Sequence, residues 1–173
     1  MDNNGVLARL RYALDVNDAK VAEMIRSTGL VISEHEVGFM LRDEEAVDFV
    51  PCPNVVLGAF LDALILQRRG PPAPGTSPPP FDNRALTNNA ILKKLRVAFK
   101  LGEADMEQAL TLGGMTLSKP ELRALFRGDD HPNYRPCGDQ VLRKFLAGLT
   151  KMLKRGPVPA PPAPPAPPAP PAP

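Results

Sequence analysis

Val56-Leu57-Gly58-Ala59-Phe60-Leu61-Asp62-Ala63-Leu64 returns 85 residues later as Val141-Leu142-Arg143-Lys144-Phe145-Leu146-Ala147-Gly148-Leu149. The residues held in common are Val, Leu, Phe, Leu and Leu, spaced so that all five fall on one face of an α-helix. The same shift carries Asn3-Asn4 onto Asn88-Asn89, Leu7 onto Leu92 and Leu10-Arg11 onto Leu95-Arg96. It also carries Gly29 onto Gly114, Ser33 onto Ser118, Glu36 onto Glu121, Arg42 onto Arg127 and Pro51-Cys52 onto Pro136-Cys137. Eighteen of the 67 positions from Asn3 to Arg69 are identical in the partner segment, and no gap is needed. The chain is therefore a duplicated unit.

Each copy reads as four helices. Asn3 or Asn4 is expected to cap a first helix that ends near Leu14, with Val6, Leu7, Leu10, Ala13 and Leu14 as its apolar stripe; Asn88 or Asn89 does the same for Ile91, Leu92, Leu95, Ala98 and Phe99. A second helix, about residues 18–28, stops at Gly29; its counterpart, about 103–112, stops at Gly113-Gly114, residues suited to a left-handed turn. Ser33 with Glu36, and Ser118 with Glu121, form the capping-box pattern that opens a third helix, with Pro120 in the first turn of the second example. The fourth helix follows Pro51-Cys52 and Pro136-Cys137. No segment alternates with the two-residue period of a strand. The expected fold is all-α: two tandem copies of a roughly four-helix unit, residues 1–70 and 87–156, with Leu10, Leu95, Phe60 and Phe145 in the core. Units of this size bury little surface alone, which favours packing of the copies on each other.

Two proline-rich stretches lie outside this pattern. Residues 71–86 include Pro71, Pro72, Pro74, Pro78, Pro79 and Pro80 and read as an extended connector. Residues 157–173 read as a disordered Pro/Ala tail whose Ala-Pro-Pro period suits polyproline II, a spacer or else a ligand for an aromatic groove. The first residues carry no secretory pattern, and the longest apolar run, Val55 to Leu66, holds Asp62 and is too short to span a bilayer. Two cysteines without metal or redox spacing fit a cytoplasmic protein, with no membrane partner and no cofactor expected.

The formal charge of +2 hides an imbalance between the copies. Residues 1–70 hold seven Lys/Arg against eleven Asp/Glu, whereas residues 87–156 hold thirteen against seven. The first copy is acidic and the second basic.

Asn88-Asn89-Ala90-Ile91-Leu92-Lys93-Lys94-Leu95-Arg96-Val97-Ala98-Phe99, with Tyr134-Arg135-Pro136-Cys137-Gly138-Asp139-Gln140-Val141-Leu142-Arg143-Lys144-Phe145-Leu146, resembles the YehS-like bacterial family, a duplicated domain of unknown function. The resemblance covers about residues 2–156. The first copy departs from it where Cys52-Pro53-Asn54 replaces Cys-Gly-Asp and Gly58 stands in place of Arg143. It implies no activity, substrate or cofactor.

Few residues offer chemistry. Cys52 and Cys137 precede a helix, where backbone N–H groups would lower a thiol pKa, but a buried structural thiol is the expected role. Asp129, Asp130, His131 and Asp139 have no matching cluster in the first copy, and no metal site is assigned. No nucleophile–base set can be assembled, so an enzyme is not expected. Arg11, Arg42, Arg96 and Arg127 recur between copies and are read as structural, as partners of Glu36 and Glu121 or of helix C-terminal carbonyls. The second and third helices resemble a helix-turn-helix only loosely, because the turn is long. The candidate binding surface is a basic face of the second copy: Lys93, Lys94, Arg96, Arg127, Arg143, Lys151 and Lys154. The matching first-copy positions carry fewer charges, and reversing Arg9 and Arg69 is expected to matter much less. These features describe a binding or adaptor protein whose partner is a macromolecule, protein or nucleic acid. A homo-oligomer joining acidic to basic copies is the alternative, and a thiol-dependent enzyme or redox protein is third.

Overall fold

The computed structural model describes residues 1–71 and 86–155, and everything described is helix, turn or loop. The expected connector and tail fall largely outside these residues. The first copy comprises α1 (Asn3–Leu14), α2 (Asp18–Arg26), α3 (Glu34–Met40) and α4 (Asn54–Arg69). The second comprises α5 (Asn88–Ala98), α6 (Glu103–Leu112), α7 (Lys119–Ala124) and α8 (Asp139–Lys154). Leu10, Leu95, Phe60 and Phe145 are fully buried, as the apolar stripes require.

The helices exchange partners between the copies. α1 packs chiefly on α8, and α5 chiefly on α4, so the first helix of each copy lies against the fourth helix of the other. These four helices run parallel. The nitrogen of Met1 meets Asp139 where α1 and α8 start, and Lys154 meets Tyr12 where they end. Asn3 touches Asn54, and Asn88 touches Asp139, at the starts of the α1/α4 and α5/α8 pairs. Arg68 stacks on Phe99 where α4 and α5 end. α2 with α3, and α6 with α7, carry the chain back to the starting end; α2 packs on α4, and α6 on α8. Buried aliphatic side chains from both copies form one continuous core.

The twin asparagines do not cap. Asp2 caps α1 by accepting from Gly5 N–H at 2.6 Å, and Thr87 caps α5 by accepting from Ala90 N–H at 3.2 Å. Asn4 instead donates to the carbonyls of Met40 and Val50, at 2.8 and 2.9 Å, and accepts from Cys52 N–H at 2.9 Å. Asn89 repeats this with Leu125, Arg135 and Cys137, at 2.8, 2.9 and 2.7 Å. One amide thus satisfies three backbone groups that the loop before the fourth helix would otherwise leave unpaired. Neighbouring Asn3 and Asn88 donate to the carbonyls of Cys52 and Cys137, at 2.9 and 3.0 Å.

The remaining helix boundaries follow the sequence signals. Asp15 and Lys100, equivalent under the shift, both take left-handed conformations that end α1 and α5. Gly29 and Gly114 do so after α2 and α6. Both capping boxes form: in the second copy the Glu121 carboxylate accepts from Ser118 N–H at 3.0 Å and its hydroxyl at 2.8 Å, and from Arg135 at 2.8 Å. The Ser118 bonds first, then Arg135, hold the Glu121 carboxyl at about 2 instead of its ordinary 4.5. A folded-state pKa below the unfolded one adds stability above pH 4.5 that is lost as the pH falls through about 2. Glu121→Gln is therefore expected to lower the melting temperature at neutral pH and to flatten its fall between those two values. An acid limb identical to wild type would show that the box contributes nothing.

The recurring arginines find other partners than those expected. α3 and α7 stop at Met40 and Ala124, so Arg42 and Arg127 lie beyond them. Arg42 pairs with Asp48 at 2.5 Å and rests on Phe39, and Arg11 pairs with Asp18 at 2.5 Å. Arg127 reaches the Asn133 carbonyl at 3.5 Å, and Arg96 donates to the Leu101 carbonyl at 3.2 Å. Among the described residues, Glu36 answers only to Ser33 within its box, where the hydroxyl and backbone N–H hold its carboxyl below the usual carboxylate range. The shared role is to fasten turns.

Candidate functional site between the copies

Helix exchange creates two grooves that share three positions under the 85-residue shift. The first, about 670 Å³, runs between α1 and α8. α1 contributes Ala8, Arg9 and Tyr12; α8 contributes Ala147, Thr150, Lys151 and Lys154, and Arg155 follows. Tyr12 is 61% exposed, and the Lys154 ammonium lies 3.4 Å from the centre of its ring. Lys151 donates to the Leu112 carbonyl at 2.8 Å, and Arg9 to the Gly5 carbonyl at 3.1 Å.

The second groove, about 540 Å³, is bordered by Arg69 of α4 and by Lys93, Arg96 and Val97 of α5, with Lys100, Leu101 and Phe126 behind them. The shift takes Ala8 to Lys93, Tyr12 to Val97 and Arg69 to Lys154. Val97, like Tyr12, is an exposed apolar side chain. The Arg96 guanidinium covers Phe126 at 4.7 Å, and Lys93 donates to the Arg127 carbonyl at 3.1 Å. Among the described residues, no carboxylate lines either groove. A smaller cavity of about 450 Å³ at the ends of α1, α4 and α8 holds Arg68 and Asp15 and shares Lys154 with the first groove.

The seven basic residues picked from the sequence are thus divided. Lys151 and Lys154 line the first groove, and Lys93 and Arg96 the second. Lys94 pairs with Asp62 of α4, neutralised inside the contact between the copies. Arg143 is exposed near the start of α8, beside Gln140, and Arg127 lies in a turn; neither lines a groove. Sequence reasoning ranked Arg9 and Arg69 as positions that matter less, whereas both line a groove, and it passed over Tyr12, Phe126 and Arg155. The legible signals were an aromatic residue off the α1 stripe and paired cations closing α4 and α8.

The thiols are buried, each 5% exposed. Burial pushes Cys52 up to about 12 and Cys137 up to about 11, outweighing backbone hydrogen bonds from Leu57 and Leu142 that act the other way. Desolvation, not the start of the helix, controls these groups. Among the described residues, no three His, Cys, Asp or Glu side chains gather as a metal ion would require. No helix among them is long and apolar enough to cross a membrane. α7, the second copy's counterpart of a recognition helix, has only six residues, too short for the groove-reading helix of a helix-turn-helix.

The comparisons with known proteins agree with the duplication. An uncharacterized protein of Escherichia coli strain K12, YehS, is similar to this chain, with 38% identity over 151 residues, covering 86% of this chain and 94% of the relative. No solved structure matches the chain. The family described as protein of unknown function (DUF1456) matches twice, over residues 3–70 and 88–156. With one match on each set of four helices, this duplicated, all-helical chain belongs to that family.

Proposed function

We propose that this is a binding protein for a polyanionic macromolecule, nucleic acid in particular, held at the basic grooves between the two copies. The observation that supports this reading is a pair of grooves between the copies, each lined by cations and, among the described residues, by no carboxylate. A structural account of the charges exists: basic residues in the last turns of α1, α4, α5 and α8 complement four parallel helix dipoles. That effect, about 0.3–1 kcal/mol per favourable charge, explains why cations sit at this end. It does not explain an aromatic ring left exposed among them. Self-association of acidic with basic copies is the weaker reading, because Asp62 and Lys94 already make that contact within one chain. Thiol chemistry is disfavoured by the raised pKa values.

The test is fluorescence anisotropy with labelled single- and double-stranded DNA and RNA over a sodium chloride series. Affinity is expected to fall linearly on logarithmic axes, by about 0.7–0.9 per phosphate neutralised. Reversing Arg69, Lys100, Lys151 and Lys154 to Glu, all exposed, is expected to abolish binding at moderate salt and leave the helical signal intact. Absence of binding to every nucleic acid at low salt would overturn the reading.

A further inference from the structure

We propose that the groove between α1 and α8 holds single-stranded nucleic acid, with one unpaired base stacked on Tyr12 in place of Lys154. This rests on the function proposed above and narrows its ligand. Tyr12 is the most exposed ring that the structure places among cations, with Arg9, Lys151, Lys154 and Arg155 around it. The Lys154 ammonium covers its face, an exposed cation–π contact that is weaker than an aromatic stack with a base. Displacing Lys154 costs little and frees its charge for the adjoining phosphate. A flat ring bordered by flexible cations is the combination that single-strand binders use, because every base has a π-face and every linkage a charge.

A duplex cannot use this feature, since its bases are already stacked on each other and their faces are out of reach. The equivalent position in the second groove is Val97, and Phe126 there is covered by Arg96. Among the described residues, the second groove therefore offers phosphate contacts but no free ring. Lys154 also lines the cavity that contains Arg68, and the next residue, Arg69, borders the second groove. A strand anchored at Tyr12 would pass Lys154 and Arg68 toward the end of α4, where Arg69 borders the second groove. Asp15 is the one carboxylate among the described residues lining that cavity.

The protein contains two tyrosines and no tryptophan, so a Tyr134→Phe background leaves Tyr12 as the only tyrosine emitter. Titrating that variant with oligo(dT) is expected to quench its emission with the same midpoint as anisotropy. Tyr12→Ala is expected to weaken single-strand binding about tenfold or more while duplex binding is unchanged, and Tyr12→Phe to stay within about twofold of wild type. Tyr12 is exposed, so these variants keep the wild-type melting temperature. Equal affinity for duplex and single strand, or no quenching and no loss in Tyr12→Ala, overturns the single-strand assignment and leaves the polyanion reading standing. Quenching by free thymidine monophosphate as tight as by the oligomer also overturns it, in favour of a mononucleotide site. Failure of every nucleic acid to bind overturns both.

Discussion

Phe145→Ala is expected to lower the unfolding free energy by about 3–5 kcal/mol, read as a fall in the urea midpoint. The ring is fully buried on α8, within the core that both copies share. Its removal loses the transfer energy of the ring and leaves a cavity that four packed helices cannot close. Small domains are stable by about 5–15 kcal/mol, so the loss is a large part of the total. Phe60→Ala at the equivalent place on α4 is expected to cost a similar amount. A fall of less than about 1 kcal/mol in either variant would show that the ring is not a core anchor.

Gly148→Ala is expected to cost about 3 kcal/mol or more, at the upper end of overpacking penalties, because the obstacle is backbone. A Cβ at this position would lie 1.6 Å from the Ala109 carbonyl oxygen and 2.5 Å from its carbon. A Cβ at Gly113 would likewise lie 1.9 Å from the carbonyl oxygen of Lys144. The two glycines allow α6 to approach α8 backbone to backbone. The first copy has Thr28 and Ala63 at the corresponding positions. Ala63→Gly is expected to cost about 1–2 kcal/mol, through helix propensity and the loss of a buried methyl. Equal tolerance of alanine at 148 and glycine at 63 would contradict the asymmetry between the copies.

The number, order and approximate limits of the helices were legible in the sequence, because apolar spacing, Ser–Glu boxes and glycine stops are local signals. The choice of partners was not. A stripe such as Val6, Leu7 and Leu10 states that one face of α1 is buried, but an aliphatic stripe does not distinguish α4 from α8. Asn4 and Asn89 were misread as caps because a polar residue at a helix start usually serves that role, whereas their acceptors lie 36 and 46 residues along the chain. The basic face assigned to the second copy failed as a single surface for the same reason. Lys94 meets Asp62, and Lys154 meets Tyr12, only because the helices cross between copies. A site assembled from two halves of a chain leaves no contiguous motif.

The exchanged helices also bear on how the two copies differ. In an assembly of two identical subunits, every surface feature near the symmetry axis must appear twice, so a residue useful in one groove is imposed on the other. Joining both subunits in one polypeptide lifts that restriction. Here one groove carries Tyr12 and the other Val97, and one copy is acidic where the other is basic. Within one polypeptide the contact between the copies is free of that symmetry, and its two ends are distinguishable by their side chains.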